Sequence, residues 1–403
     1  MIDKDLFPHD LAIAAILKDE GRYLKEWLDY HLAAGVDHFY LYDNDSTVNQ
    51  AEVVKPYVEA GLVDYIPMPG EAMQFAACND AIKRFKFQCR YMALIDADEF
   101  IYPKTGQSIA EVVDEILSGD TKAAGLAIHW QVYGSNGQDK ADYSRGVLER
   151  FTRRAKSDWH LPANTVGNFY AQGNCYVKNI VNPRRVNFIK DPHRVNYFSE
   201  GYGVDETAKQ VKGSIPLPIV ADKIVINHYY VKSREEFESK VRRGSSARLS
   251  MKKRLNWFEL NDRNDEFDDG ILKYRDARQK VYQPPAPAED RIFQALMKNL
   301  FQPNGGDVET FLTCRAVSPT KFFEEASLAA VLKSLDKMTL SEAQLLIREL
   351  PKLLRLPYPV ARELKAELIR RTPQIMYDLH LKGLWRDYVE LDCIRDLLKE
   401  ELD

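Results

Sequence analysis

The first hundred residues alternate between two kinds of segment, and that alternation constrains the fold more than any other feature. Leu11–Leu17 is an apolar run of strand length. The stretch 21–35 follows, with Leu24, Trp27, Leu28 and Leu32 at helical spacing and Gly35 as a stop. His38–Tyr42 is short and aromatic, and Asp43-Asn44-Asp45-Ser46 behind it is a turn cluster. A helix over Ala51–Ala60, a strand over Leu62–Ile66, a helix over Ala72–Phe87 and a strand over Arg90–Ile95 complete the series. Strands separated by helices of roughly 10–16 residues predict an α/β fold with a mostly parallel, Rossmann-like sheet and helices on both faces. Ligands of such sheets sit at the carboxyl ends of the strands. Three acidic clusters fall at such ends: Asp19-Glu20, Asp43 with Asp45, and Asp96 with Asp98.

Further along, 125–133 reads as another strand closed by the loop Gly134-Ser135-Asn136-Gly137, and Lys223–Tyr230 alternates in the manner of a strand. Ser233-Arg234-Glu235-Glu236 then makes a capping box that opens a helix. The span 140–194 holds eleven Lys/Arg against four Asp/Glu, and 242–254 holds six basic and no acidic residues. After Tyr282 comes the Pro-rich QPPAPAED, and from about residue 290 the pattern is helical. The expected organisation is a catalytic-type α/β domain over 1–250, a basic and Pro-rich linker over 251–290, and a helical C-terminal region over 291–403.

Composition excludes some classes. A net charge of -4 over 403 residues is not that of a nucleic-acid coat, so no nucleic-acid partner is expected. No apolar run approaches the ~20 residues needed to span a bilayer, and the acidic, polar start is unlike a secretory signal. Five scattered cysteines with no CxxC pair argue against a disulfide framework or zinc knuckle and for a reducing, cytoplasmic setting. The 242–254 run is a solvated face or a peripheral contact with an acidic inner-membrane surface.

Three constellations carry chemistry. Asp96 and Asp98, at the exit of an apolar strand, can share a hard divalent cation, Mn²⁺ or Mg²⁺, together with phosphate oxygens; in other settings such a pair is only a solvated turn. His228 ends a strand just before the capped helix, where a neutral imidazole could complete the cation's ligands, and Lys232 could neutralise a diphosphate leaving group. Asp43 and Asp45, with Gln74 and Asn79 on the helix leading to the fourth strand, are candidates to hold a ribose or base edge.

These residues stand in longer blocks. ILKDEGRYLKEWLDYHLAAGVDHFYLYDNDS, ALIDADEF, HWQVYGSNG, VKNIVNPRRV, PHRVNYF and NHYYVKSREEFESKVRRG occur in that order. The set resembles glycosyltransferase family 92 and related family 2 enzymes over about residues 10–245. The resemblance implies a GT-A fold, a nucleotide-sugar donor (UDP-linked above all), a divalent metal, and transfer to a hydroxyl of a glycan or lipid-linked acceptor in surface polysaccharide synthesis. By position it puts Asp43, Asp45 and Asp96 at the donor nucleotide, where Lys18, Glu20, Gln74 and Asn79 are expected as well. It puts Asp96, Asp98 and His228 at the metal, Lys232 at the diphosphate, and Trp130 and Gly134 on the acceptor side. Two positions depart from the pattern: Asp19 stands where Asn is commoner, and Tyr133 replaces Phe.

An inverting hexosyltransferase also needs a carboxylate to take the acceptor's proton. Asp139, Asp158, Asp191 and Glu200 are all open to that role; Asp139 is favoured because it follows the acceptor-side loop. Two rival readings remain. A nucleotidyltransferase would place a Gly-rich loop after the first strand, where only Gly21 occurs. A non-catalytic scaffold would act through the C-terminal apolar runs Ala329–Leu335 and Leu345–Leu354.

Overall fold

The computed structural model describes residues 4–162, 172–198, 200–244, 256–276, 359–384 and 391. The apolar run near the start lies in β1 (His9–Leu17), buried on both faces from Leu11 onward as a central parallel strand requires. Then follow α1 (Gly21–Ala33), β2 (His38–Asp43), α2 (Gln50–Glu59), β3 (Val63–Pro67), α3 (Gln74–Phe85) and β4 (Cys89–Leu94). Each predicted element of the first hundred residues is present, displaced by a few residues at most. In α1 the buried residues Leu24, Trp27, Leu28 and His31 form one stripe, while Arg22 and Lys25 face water. Gly35 ends that helix at φ +100°, where a Cβ would also stand 2.7 Å from Ser108 Cβ.

Beyond β4 come β5 (Glu99–Pro103), α4 (Ile109–Leu117), β6 (Ala123–Val132) and α5 (Val147–Arg150). Three two-residue strands, β7 (Arg153–Arg154), β8 (His160–Leu161) and β9 (Gln172–Gly173), precede β10 (Val177–Val181). A hairpin of β11 (Val186–Asp191) and β12 (Arg194–Tyr197), then β13 (Tyr202–Val204) and β14 (Ile224–His228), lead to α6 (Arg234–Arg243). The segments α7 (Asn256–Asn261), β15 (Glu266–Phe267) and α8 (Leu272–Asp276) follow.

Among the described residues one nine-stranded sheet runs in the order β3-β2-β1-β4-β10-β6-β14-β5, with β13 also on β6. The β3-β2-β1-β4 half is parallel. β10 then enters antiparallel to both β4 and β6, and β14 runs parallel to β6 and antiparallel to β5. The fold is therefore the expected α/β, GT-A class, with the antiparallel members confined to the second half. Helices α1 and α4 pack their apolar stripes on one face; α3 and the β11–β12 hairpin cover the other. Strand polarity brings the carboxyl ends of β1, β2, β4, β6 and β14 to the same edge.

The chain divides into two compact units. The first comprises mainly 9–197 and 202–283, and the second 2–8, 198–201 and 284–403. The first unit thus continues past residue 250. Part of the expected linker is folded onto it: Ser135 N donates to Asp262 Oδ1 at 2.6 Å, and Asn136 N to Asn264 Oδ1 at 2.8 Å. The Tyr274 hydroxyl donates to the Pro103 and Gln107 carbonyls. Of the helical C-terminal region, the helix Pro359–Leu381 is described; the runs Ala329–Leu335 and Leu345–Leu354 lie outside the described residues. No described helix is long and apolar enough to cross a membrane.

Candidate functional site

At the exits of β1, β2 and β14 a non-glycine residue adopts left-handed backbone: Asp19 (φ +53°), Asp45 (φ +52°) and Lys232 (φ +54°). Such conformations cost of order 1 kcal/mol or more and cluster at functional edges. Asp19 is held there by its own carboxylate, whose Oδ1 accepts from Thr47 N at 2.6 Å and Val48 N at 3.1 Å. Gln50 ties the first two exits together, donating to Asp43 Oδ1 (2.6 Å) and accepting from Glu20 N (3.0 Å). Asp45 Oδ2 accepts from Gly70 N at 2.8 Å. Lys18 is half-buried at the end of β1.

The two carboxylates that follow β4 have different surroundings. Asp96 Oδ1 accepts from Gln74 Nε2 at 2.7 Å, and its Oδ2 from Lys178 Nζ at 2.8 Å. Lys178 is buried in β10 and also stands 3.5 Å from the buried Glu99, whose Oε2 accepts from Asp96 N. One lysine thus serves two carboxylates. Burial pushes Glu99 up to about 8, against the pull of Lys178. Burial would raise Asp96 too, but Lys178 outweighs it and the carboxyl lies below its ordinary value.

Asp98 is buried, and its Oδ2 accepts from Lys240 Nζ on α6. Its Oδ1 stands 3.7 Å from His228 Nε2. Burial opposes ionisation here as well, yet Lys240 and His228 hold the carboxyl well below its ordinary value. His228 itself is lowered by burial, so its imidazole is neutral near pH 7. Its Nδ1 is buried without a hydrogen-bond partner among the described residues, and so is Nε1 of Trp130, whose ring lies 4.2 Å from that of His228. Lys232 is buried over the Tyr23 ring at 4.5 Å, with no ion pair or hydrogen bond to its ammonium among the described residues. Arg243, one turn beyond Lys240, donates to Glu20 Oε1 at 2.6 Å and to the Asp19 carbonyl at 3.1 Å.

The expected metal set divides on this geometry. No three His, Cys, Asp or Glu side chains converge as a metal site among the described residues. Both Asp96 oxygens are engaged away from Asp98. Asp98 and His228 do fit as a pair: two donors each about 2.1 Å from one cation stand about 3–4 Å apart, and here they are 3.7 Å apart. A carboxylate held ionised and an imidazole held neutral are also the protonation states that a cation requires.

Other expected residues take different tasks. Asn79 clamps α3 to β11, donating to the Ile189 carbonyl (2.7 Å) and accepting from its N–H (2.9 Å), so its amide is used within the fold. Asp139 is 84% exposed and faces Arg234 at 3.7 Å, outside the acidic cluster. Gly134 lies flush against the 262–264 loop, where a Cβ would meet the Arg263 carbonyl oxygen at 2.4 Å; its role is close backbone approach. Among the four base candidates, Asp191 lines a water-sized cavity together with Asp96, Lys178 and Gln74. The basic run 242–254 lies outside the described residues beyond Gly244.

Sequence reasoning missed Lys178, Lys240 and Arg243. A signal existed for each. Lys178 is the charged residue in the apolar strand VKNIV, and Lys240 and Arg243 sit one turn apart on a capped helix.

Comparison with known proteins places these blocks. A family model described as glycosyltransferase family 92 matches residues 16–263. A glycosyltransferase family 92 protein of Ricinus communis is 28% identical over 148 residues, 36% of this chain and 27% of that protein. A galactan beta-1,4-galactosyltransferase of Arabidopsis thaliana, GALS2, is 31% identical over 100 residues, 22% of this chain and 19% of that protein. The matches therefore span about a quarter or less of these relatives' lengths. Among solved structures, S. aureus TarS 1–349 in complex with UDP is similar at a TM-score of 0.32 and 12% identity, covering 97% of this chain and 92% of that one.

Proposed function

Because the chain belongs to glycosyltransferase family 92, we propose that it moves a hexosyl group from a nucleotide-sugar, with UDP as the nucleotide, to a hydroxyl of a glycan or lipid-linked acceptor in surface polysaccharide synthesis. The observation that carries this reading is Asp98 facing His228 at the common strand edge, with the buried, unpaired Lys232 beside them. Relatives named as galactan galactosyltransferases support a hexose as the transferred group.

Asp98 and His228 would hold Mn²⁺ or Mg²⁺, which neutralises the diphosphate of the donor. The chain's own residues do the rest. As the bond from the anomeric carbon to the diphosphate breaks, negative charge grows on the leaving phosphate, and Lys232 meets it. Its charge acts in a buried, low-dielectric setting, where it is worth several times more than in water. Asp96, oriented by Gln74 and Lys178, keeps a second lone pair on each oxygen for the ribose hydroxyls. Asp43, Asp45, Lys18 and Glu20 border the nucleoside at the exits of β1 and β2. Trp130 lends an indole face to the sugars. For an inverting transfer we assign the proton-accepting role to Asp191 instead of the exposed Asp139.

A thermal-shift series with UDP-, GDP-, CMP- and dTDP-sugars, each with and without Mn²⁺, tests the reading. One nucleotide class should raise the melting temperature in a Mn²⁺-dependent way, and Asp98→Asn should abolish the rise. At ligand a hundredfold above its Kd the stabilisation is ~2.7 kcal/mol. No shift with any donor on a folded protein would overturn the reading in favour of a non-catalytic scaffold.

A further inference from the structure

Lys240 and Arg243 lie one turn apart on α6, and each is paired with an acidic residue at the strand edge, Asp98 and Glu20 respectively. Building on the nucleotide-sugar reading, we propose that both are ligands of the donor diphosphate, held on these carboxylates until a donor arrives. Lys240 thereby keeps a divalent cation off Asp98 until a diphosphate draws its ammonium away.

The charge inventory supports this exchange. Lys178 is shared by Asp96 and Glu99, and Arg150 is paired bidentately with Glu236. Around α6, Lys232 faces Glu20 and Asp98, Lys240 faces Asp98, and Arg243 faces Glu20, Asp98 and Asp19. Three cations facing three carboxylates form a balanced set. A divalent cation entering alone would sit beside the Lys240 ammonium in a buried setting and leave the set two charges positive. A nucleotide-sugar, whose doubly esterified diphosphate carries two negative charges, restores the balance when it enters with the cation and offers oxygens to the displaced ammonium and guanidinium. The change asks only the Lys240 side chain to move, not its helix. Besides its pair with Asp98, the ammonium lies over the Tyr230 ring at 4.4 Å and donates to the Tyr230 carbonyl at 3.0 Å, contacts that rotation of a four-carbon side chain can exchange for phosphate oxygens. The helix itself is fixed near its start by the Ser233 capping box and the Arg150–Glu236 pair.

The test uses the full chain. Mn²⁺ binding without nucleotide is followed by electron paramagnetic resonance, and UDP binding with Mn²⁺ by calorimetry, for wild type, Lys240→Met, Lys240→Arg and Arg243→Met. Lys240→Met should bind Mn²⁺ alone at least about tenfold more tightly, yet bind UDP at least about tenfold more weakly. These opposite signs are not what a merely disrupted site would give. Lys240→Arg should keep both affinities within about threefold of wild type, and Arg243→Met should weaken UDP alone. Unchanged Mn²⁺ affinity in Lys240→Met, or unchanged UDP affinity, would overturn the proposal. Should circular dichroism show Lys240→Met unfolded, Lys240→Gln takes its place with the same expectations. A wild type that binds no UDP under any condition would count against the nucleotide assignment instead, and the Mn²⁺-only arm would still decide the part played by Lys240.

Discussion

Glu236→Gln is expected to loosen α6 by an amount the structure lets one calculate. Both partners of the Arg150–Glu236 pair are 2% exposed, and the contact is bidentate at 2.8 and 2.9 Å. Glu236 also accepts from the Tyr23 hydroxyl at 2.9 Å and from Ser233 N at 3.1 Å. Burial would raise its pKa, but the hydrogen bonds from Arg150 and Ser233 bring it down to about 2 from 4.5. A depression of about 2.5 units corresponds to ~3 kcal/mol. Breaking a buried pair on one side independently suggests ~3–5 kcal/mol. Because the folded pKa is depressed, this stability is complete above pH ~4.5 and is lost as pH falls toward 2. Native-state hydrogen exchange of the α6 and β14 amides reads the opening of this element alone. Wild type should exceed Glu236→Gln by ~3 kcal/mol at pH 7 and by ~1.4 kcal/mol at pH 3. A gap under ~1 kcal/mol at pH 7, or one that does not narrow in acid, would refute the reasoning.

Three further outcomes are expected. Lys178→Met strips the counter-ion from Asp96 and Glu99, so donor KM should rise about tenfold or more while kcat changes less, as steady-state kinetics would show. Asp191→Asn should lower kcat by about 10²–10⁴, whereas Asp139→Asn should stay within about twofold; the reverse order would restore Asp139 as the base. Glu99 has a folded pKa near 8, above its unfolded value, so wild-type stability should fall as pH rises from about 5 to 8. Glu99→Gln should flatten that slope in melting temperatures measured across the range, and an unchanged slope would rule Glu99 out as its source.

The parallel half of the sheet was legible because each strand and helix there carries its own periodicity and its own stop. Leu11–Leu17 and Gly35 needed no partner to be read. The second half was less so. β5 begins at Glu99, inside the acidic block, and its five buried residues are too few to declare a period. β10 carries Lys178 where an apolar residue would mark a buried strand, and its meaning depends on Asp96 and Glu99, some eighty residues earlier. At the site, residue types identified Asp98, His228 and Lys232, since carboxylate, imidazole and ammonium each name a chemistry. They could not show that Asp96 turns toward Gln74, or that Asn79 is used up on Ile189. Those are facts of orientation, and local sequence is silent about them.

The antiparallel entry of β10 has a bearing on how the molecule comes into being. Among the described residues β1 to β4 pair only with one another and with β10, so on the ribosome the first ninety or so residues already contain every partner that the parallel half needs. The rest of the sheet must wait. β4 acquires its outer neighbour only when Val177–Val181 emerges, and β5 finds β14 across more than a hundred residues. Such distant pairings carry a loop-closure cost and form late. Asp96 and Asp98 lie at the seam between the early half and the late one. Their partners Lys178, His228 and Lys240 are synthesised some eighty or more residues later, so the nascent chain carries the parallel half of the sheet well before it carries a complete charge cluster. A ribosome-stalled series lengthened from about residue 110 to about residue 300 would display that order as two separate steps in protease resistance, with the second appearing only after α6 has cleared the exit tunnel.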